Sequence, residues 1–147
     1  MKFIVDDMLG KLAKRLRLMG FDASYPKTST DSFLTKKSKE EDRILITRDT
    51  ELTKVQGVNA VLIHSTKLDE QLKELAAALK LKINPEKLVP RCTICNRELK
   101  KIEKEKIKDK IPSLVRKLFH EFTYCSKCKK IYWKGSHFER MLKDLPA

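Results

Sequence analysis

Between residues 1 and 83, short apolar runs alternate with segments whose apolar residues recur every three or four positions. KFIV, running into Asp6 and Asp7, reads as a strand. MLGKLAKRLRLMG follows, with Met8, Leu9, Leu12, Ala13, Leu16 and Met19 at the spacing of one helix face and Gly20 as the C-cap. FDASY is a weak second strand, and TDSFLTKKSKEED a helix with Thr30 or Asp31 at its N-cap. RILITRD is a third strand, NAVLIH a fourth, and LDEQLKELAAALKL a further helix. Strand and helix alternating in this rhythm predict an α/β fold built on a parallel sheet covered on both faces.

The rhythm stops at INPEKLVP, where Asn84, Pro85 and Pro90 read as a linker. The chain therefore divides into residues 1–83, a linker at 84–90, and a shorter segment at 91–147. Within the last, LKKIEKEKIKDK is punctuated by Leu99, Ile102, Ile107 and Ile111 and reads as the solvated face of a strand or helix. A segment of about 57 residues is too short to bury a sufficient core unaided.

That segment holds all four cysteines, in two CxxC pairs, RCTIC and YCSKC, separated by 29 residues. Each pair can fold as a tight knuckle that aims two thiolates at one point, so Cys92, Cys95, Cys125 and Cys128 predict one closed structural Zn²⁺ site. Disulfides and an iron–sulfur cluster are the rival readings; a reducing compartment argues against the first and the spacing against the second. His120 and His137 are substitute ligands that four cysteines leave without a task. Bound metal would supply folding energy that the small core lacks, so its removal is expected to unfold residues 91–147 first.

Charge adds a partner to this picture. The chain carries 33 Lys and Arg against 20 Asp and Glu, a net charge of +13. Residues 1–90 hold 17 basic and 13 acidic side chains, residues 91–147 hold 16 and 7, so the excess leans towards the cysteines. Such an excess suits a polyanion, nucleic acid above all; a solvated surface of a heat-adapted protein carries the same signature. Around the second knuckle, CSKCKKIYWKGSH interleaves Lys127, Lys129, Lys130 and Lys134 with Tyr132 and Trp133. Basic and aromatic side chains in this mixture form a surface for single-stranded RNA, unless Trp133 only packs the ribbon against its neighbours. MKFIVDDML offers three apolar residues before two acids, which is no signal peptide, and no run approaches a membrane span, so the expected location is the cytoplasm.

Two predicted strands end in acid, the first at Asp6 and Asp7, the third at Asp49. In a parallel sheet all strand C-termini lie on one edge, and neighbouring strands stand about 4.8 Å apart. Asp6 and Asp49 then point into one volume if their strands pair, and Asp31, opening the next helix, reaches the same edge. Crowded carboxylates repel one another unless a cation is present, and one or two Mg²⁺ or Mn²⁺ ions would relieve the repulsion. Metal at such a site activates water for in-line phosphodiester hydrolysis. Each of these aspartates also stands just ahead of a helical segment, where it would serve as an N-cap.

Together, KFIVDDMLGKLAKRLRLMGFDASY, the spaced Asp31, ILITRD, RCTIC, YCSKC and IYWKGSHFERM resemble the PIN-like ribonuclease domain fused to a zinc ribbon. The C-terminal ribonuclease domain of mutator-type 3′ exonucleases typifies that family. The resemblance covers nearly the whole chain. It implies a PIN-like parallel sheet flanked by helices whose acidic set, Asp6, Asp31 and Asp49, binds Mg²⁺ or Mn²⁺ and cleaves RNA. Asp7 ranks below these three, and Glu40, Glu41 and Asp69 are candidates for a further acid. Arg48 is expected either to contact the scissile phosphate or to pair with a neighbouring acid. Arg15 stands where relatives often have an aromatic residue; with Lys11, Lys14 and Arg17 it forms either a phosphate guide or a solvent-facing stripe.

The expected function is a metal-dependent, endonucleolytic ribonuclease in which residues 1–83 cut and the zinc ribbon grips RNA. The expected RNA-binding set is Arg15, Arg48, Lys129, Lys130, Trp133 and Lys134, and the expected partner is single-stranded RNA or structured ribosomal or transfer RNA. The competing expectation is a non-catalytic RNA-binding or ribosome-associated adaptor. A toxin of a toxin–antitoxin pair is a third reading, against which the attached ribbon argues.

Overall fold

The computed structural model describes residues 1–142, and of His137 the backbone alone. Four parallel strands, β1 (Lys2–Val5), β2 (Asp22–Ser24), β3 (Ile44–Thr47) and β4 (Ala60–Leu62), lie in the order β2-β1-β3-β4. The helices are α1 (Gly10–Leu18), α2 (Asp31–Glu40), α3 (Thr50–Thr53) and α4 (Leu68–Leu79). Side chains alternate across the sheet with period two. Phe3, Val5 and Ile46 therefore share a core with Leu12 and Leu16 of α1 and Leu72 and Leu75 of α4. Ile4 and Leu45 face the other way, against Leu34 of α2 and Leu52 of α3. Burial on both faces is why these strands read as continuous apolar runs.

Thr30 is the N-cap of α2, its hydroxyl accepting the Phe33 N–H at 3.1 Å. Residues Asp7–Leu9 form a 3₁₀ turn before α1 instead of its first turn, which rotates Met8 out of the expected apolar stripe and leaves it 69% exposed. Gly20 ends the helix at φ +89°, where an L side chain would be strained. A Cβ there would also stand 2.9 Å from the Val89 carbonyl oxygen, so the chain after the sheet runs directly against the end of α1.

The second part is an antiparallel sheet, β5 (Lys100–Ile102), β6 (Phe122–Tyr124) and β7 (Ile131–Tyr132), ordered β5-β6-β7. Short helices α5 (Lys104–Ile107) and α6 (Ser113–Leu118) connect β5 to β6, and α7 (Ser136–Leu142) follows β7. Ile107, Ile111 and Phe122 form a small core with Phe119 and Trp133 packed on it, so the isoleucines of the Lys/Glu run are its inward face.

Side chains bind the two parts together across the stretch that reads as a linker. Arg17, buried in α1, donates from Nε to the Ala23 carbonyl at 2.9 Å and from Nη1 to the Thr93 carbonyl at 2.8 Å. Asp22 accepts from Arg43 at 2.8 Å and from Asn96 Nδ2 at 2.6 Å, and Arg91 stands 4.0 Å away. Burial pushes the Asp22 carboxyl up, but the Arg43 and Asn96 hydrogen bonds outweigh it and hold the group below its usual value. Asn96 Oδ1 accepts the Ala23 N–H at 3.1 Å, taking the place of a neighbouring strand on the open side of β2. Phe138, Met141 and Leu142 of α7 complete the core under α1. Pro and Asn at 84–90 signalled a break in regular structure, and nothing in that composition reveals side-chain bonds formed across it.

Arg17→Ala removes two charge-assisted hydrogen bonds and leaves buried carbonyls on both parts. A loss of about 3 kcal/mol is expected, a fall of roughly 6–12 °C in midpoint for a chain of this size. Thermal melts of the variant beside an exposed control, Lys14→Ala, measure it; equal midpoints would show that the contact contributes nothing.

Candidate active site and metal centre

Strand order reverses between β1 and β3, since the chain proceeds from β1 outward to β2 and then crosses to β3 and β4. A reversal of this kind opens a crevice beyond the strand C-termini, the usual ligand position in open parallel sheets. Val5 pairs with Ile46, so the next residues, Asp6 and Thr47, come side by side, and the Asp6 N–H donates to the Ile46 carbonyl at 3.0 Å. Thr47 Oγ1 donates to Asp6 Oδ2 at 2.8 Å and accepts the Asp49 N–H at 3.0 Å. Asp6 Oδ1 accepts the Asp7 N–H at 2.8 Å, and Asp49 Oδ1 accepts the Glu51 N–H at 2.9 Å as the N-cap of α3. One fully buried hydroxyl thus joins the two strand-end aspartates, each of which also has one oxygen on a backbone amide.

Asp6 is 8% exposed, and burial raises its carboxyl above the ordinary range. The Thr47 hydroxyl works against that rise, and neighbouring Asp7 adds to it. The Tyr25 hydroxyl donates to the Asp7 carbonyl at 2.6 Å; burial, with Asp7 and Asp6 close by, raises the phenol as well. Asp31 is the first residue of α2 and is exposed. Among the described residues, the cysteines are the one group of three or more metal-ligating side chains with ligand atoms within 4.8 Å of one another, so the three aspartates are not drawn that tightly together.

Of the candidates for a further acid, Glu40, Glu41 and Asp69 have basic partners, while Asp7 is met by the Asp6 carboxylate, which accepts its N–H. Glu40 lies 3.8 Å from Lys36, Glu41 bonds Arg43 at 2.9 Å and Lys37 at 3.0 Å, and Asp69 lies 3.8 Å from Arg15. Glu40 and Glu41, moreover, close α2 just before β3 begins, at the sheet edge opposite Asp6 and Asp49. Arg48 pairs with no acid among the described residues: Nη2 reaches the His64 carbonyl at 3.5 Å, and Nε is buried without a partner. Glu74 fixes the turn that presents this carbonyl by accepting the His64 and Ser65 N–H groups at 2.8 and 2.7 Å. Burial raises Glu74, but those amides outweigh it and hold the carboxyl below its usual value.

The four cysteines form a second site. Each CxxC closes a turn: the Asn96 N–H donates to the Cys92 carbonyl at 2.9 Å, and the Lys129 N–H to the Cys125 carbonyl at 2.8 Å. Asn96 (φ +68°) and Lys129 (φ +64°) both adopt the left-handed conformation that the turn needs. All four Sγ atoms lie within 4.8 Å of one another, with Cys95 and Cys125 3.6 Å apart. A tetrahedral zinc with Zn–S near 2.3 Å would set neighbouring sulfurs about 3.8 Å apart, so the residues present fit one such ion. Burial raises Cys92, but the Tyr132 hydroxyl and the Cys95 and Ile94 amides bring it down to about 6. Burial and the three neighbouring sulfurs push Cys128 up to about 12. Such a cluster parts readily with one proton and resists losing the last, a conflict that a divalent cation resolves. His120 lies outside this group, 3.4 Å from Lys104 Nζ; the side chain of His137 falls outside the described residues.

The expected RNA-binding residues are dispersed. Arg15 is turned towards Asp69, its side chain 15% exposed, so it forms no free basic stripe with Lys11 and Lys14. Lys129 is exposed on the second turn. Lys130 Nζ sits 5.2 Å over the Tyr132 ring and bonds Thr93 Oγ1 at 3.4 Å. Lys134 Nζ bonds the Leu88 carbonyl at 2.8 Å and lies 5.8 Å over Phe138. Trp133 packs against Phe122 at 6.2 Å between ring centroids while remaining half-buried, so the packing role is met.

Sequence reasoning missed Thr47, Tyr25 and Glu74. A hydroxyl closing the apolar run ILIT two residues before Asp49 was a readable signal, because Ser and Thr at that spacing accept a later backbone N–H. Glu74 gave none, since its partners are amides ten and nine residues earlier.

No helix among the described residues is long and apolar enough to cross a membrane. No curated protein and no solved structure matches the chain. A family model described as the Mut7-C RNAse domain matches residues 1–145. With a parallel α/β sheet, a four-cysteine centre and a match that spans both, the chain belongs to the Mut7-C RNase domain family.

Proposed function

We propose that the protein is a cytoplasmic, Mg²⁺- or Mn²⁺-dependent endoribonuclease of PIN-like architecture. In this reading residues 1–83 cleave RNA and residues 91–147, around one structural zinc, grip it. The observation that supports it most is the Asp6–Thr47–Asp49 chain of hydrogen bonds at the strand-order reversal. The donor set is all oxygen, which suits a hard cation. Mg²⁺ commonly takes one or two carboxylates and completes its shell with water and phosphate oxygens, so a tight three-acid cage is not required. When bound, the cation supplies Lewis acidity, making water more acidic and offsetting charge on the phosphate.

The chain's own residues divide the remaining work. Asp6 and Asp49 would hold the cation, and Asp31 would join them from the start of α2. Thr47 fixes the rotamer of Asp6 by donating to Oδ2, and its acceptance of the Asp49 N–H holds the second acid in register. Arg48, beside Asp49 and with an unpartnered Nε, contributes positive charge towards the RNA phosphate. Single-stranded RNA and structured ribosomal or transfer RNA are the substrate classes. Labelled single-stranded RNA, incubated with Mn²⁺, is expected to be cut internally, and Asp49→Asn to stop the reaction. Cleavage that persists in the variant would remove the acidic edge from the mechanism.

A further inference from the structure

A cleft of about 930 Å³ opens between the end of α1 and the antiparallel sheet, lined by Leu18, residues 88–90, β5, the end of α6, β6, β7 and Phe138 of α7. Its volume is at the upper end of the roughly 300–1,000 Å³ typical of built ligand sites. Phe119, Trp133 and Phe138 give it aromatic surface, and Lys101, Lys104 and His120 add nitrogen donors. Phe119 and Trp133 are half-buried, each with ring surface left open beside the small core. Lys134 is a wall, not a free cation, because Leu88 and Phe138 already engage it. Lys104 Nζ lies 3.4 Å from His120 Nδ1, the ammonium donating to the ring nitrogen, which holds the lysine's positive charge on the cleft wall. Glu103 and Glu121 also line the cleft, yet the segment around it holds 16 basic against 7 acidic side chains, which favours a polyanion over an acidic-patterned or neutral peptide.

We propose that this cleft binds single-stranded RNA, nucleobases lying on Phe119 and Trp133 and phosphates meeting Lys101 and Lys104. The inference rests on the ribonuclease reading for the identity of the polyanion. A duplex does not serve, since aromatic side chains reach base faces where strands are unpaired. Asp6 and Asp49 do not line the cleft, and Leu18 at the far end of α1 does, so the cleft is a holding site separate from the acidic edge.

Trp133 is the only tryptophan, which makes its emission a local reporter. Full-length zinc-loaded protein, with no Mg²⁺ or Mn²⁺ added, is titrated with an octamer of uridylate. Saturable quenching is expected. The double variant Lys101→Glu/Lys104→Glu, at one exposed and one half-buried position, is expected to weaken binding more than tenfold while far-UV circular dichroism and zinc content stay at wild-type values. For two phosphate contacts the slope of log K against log salt should shrink by about 1.4. Phe119→Ala should weaken binding by about tenfold, consistent with one lost stacking contact. Wild-type affinity and salt slope in the lysine double variant would overturn the proposal, as would Trp133 emission blind to RNA. So would a concentration-dependent change in emission without RNA, which identifies a second copy of the chain as the occupant. Parallel cleavage assays with Mn²⁺ separate the two readings: RNA cut while Trp133 stays blind removes the cleft alone, and lysine-dependent quenching without cleavage supports the cleft and removes the nuclease.

Discussion

Asp6→Asn is expected to cut RNA hydrolysis more than about 100-fold, since even residues that only orient a metal's ligands change affinity or activity by roughly 10- to 100-fold. The same substitution should make the protein more stable when neither Mg²⁺ nor Mn²⁺ is added. Burial raises the Asp6 carboxyl above its unfolded value. The folded chain therefore binds this proton more tightly than the unfolded chain, and stability falls as pH climbs from the unfolded pKa through the raised folded one. Above that window the ionised, buried carboxylate is a constant penalty. A neutral amide removes it, so the variant should melt higher than wild type at pH 7, and the difference should vanish at a pH below the unfolded value. Added Mg²⁺ should raise the wild-type midpoint and leave the variant where it was. A variant that melts lower at pH 7 would mean that the Thr47 and Asp7 hydrogen bonds, not desolvation, govern this position.

The second large effect concerns the cysteines. Cys125→Ser should lower bound zinc from about one equivalent per chain to near none, and structural zinc is worth on the order of 10–16 kcal/mol to small domains. The sequence alone suggests that residues 1–83 would survive this loss. The packing predicts otherwise, because Phe138, Met141 and Leu142 lie in the core under α1 and Arg17 spans to Thr93. Zinc loss should therefore destabilise both parts in one transition, with faster hydrogen exchange at the Asp6 amide, which is bonded within the parallel sheet to the Ile46 carbonyl, as well as in β6. Wild-type protection at Asp6 alongside full exchange across 91–142 would show two independent units.

The sheet was legible because buried parallel strands leave a local trace: KFIV and RILIT are runs that no solvent-facing segment needs. The cysteine centre was legible for a similar reason, as CxxC spacing is itself the geometry of the turn. The strand ends were half legible. Sequence pointed to Asp6 and Asp49, while their separation depends on register and on Thr47, which only the paired strands display. Arg15 and Arg17 show the limit most clearly. Two residues apart in a basic helix, they look alike on paper, yet Arg17 is swallowed between two carbonyls and Arg15 is turned to Asp69, because distant residues decide what each faces.

Asn96 closes the open side of β2 by taking the Ala23 amide, and 73 positions separate the two in the chain. At roughly 5–20 residues per second of synthesis, β2 leaves the ribosome on the order of several seconds before its guard is made. During that interval the nascent sheet presents a bare hydrogen-bonding rim to any other nascent chain nearby. Production of this protein is therefore most vulnerable to misassociation in the interval between synthesis of Ala23 and of Asn96, and a pause placed between these two codons would lengthen the hazard.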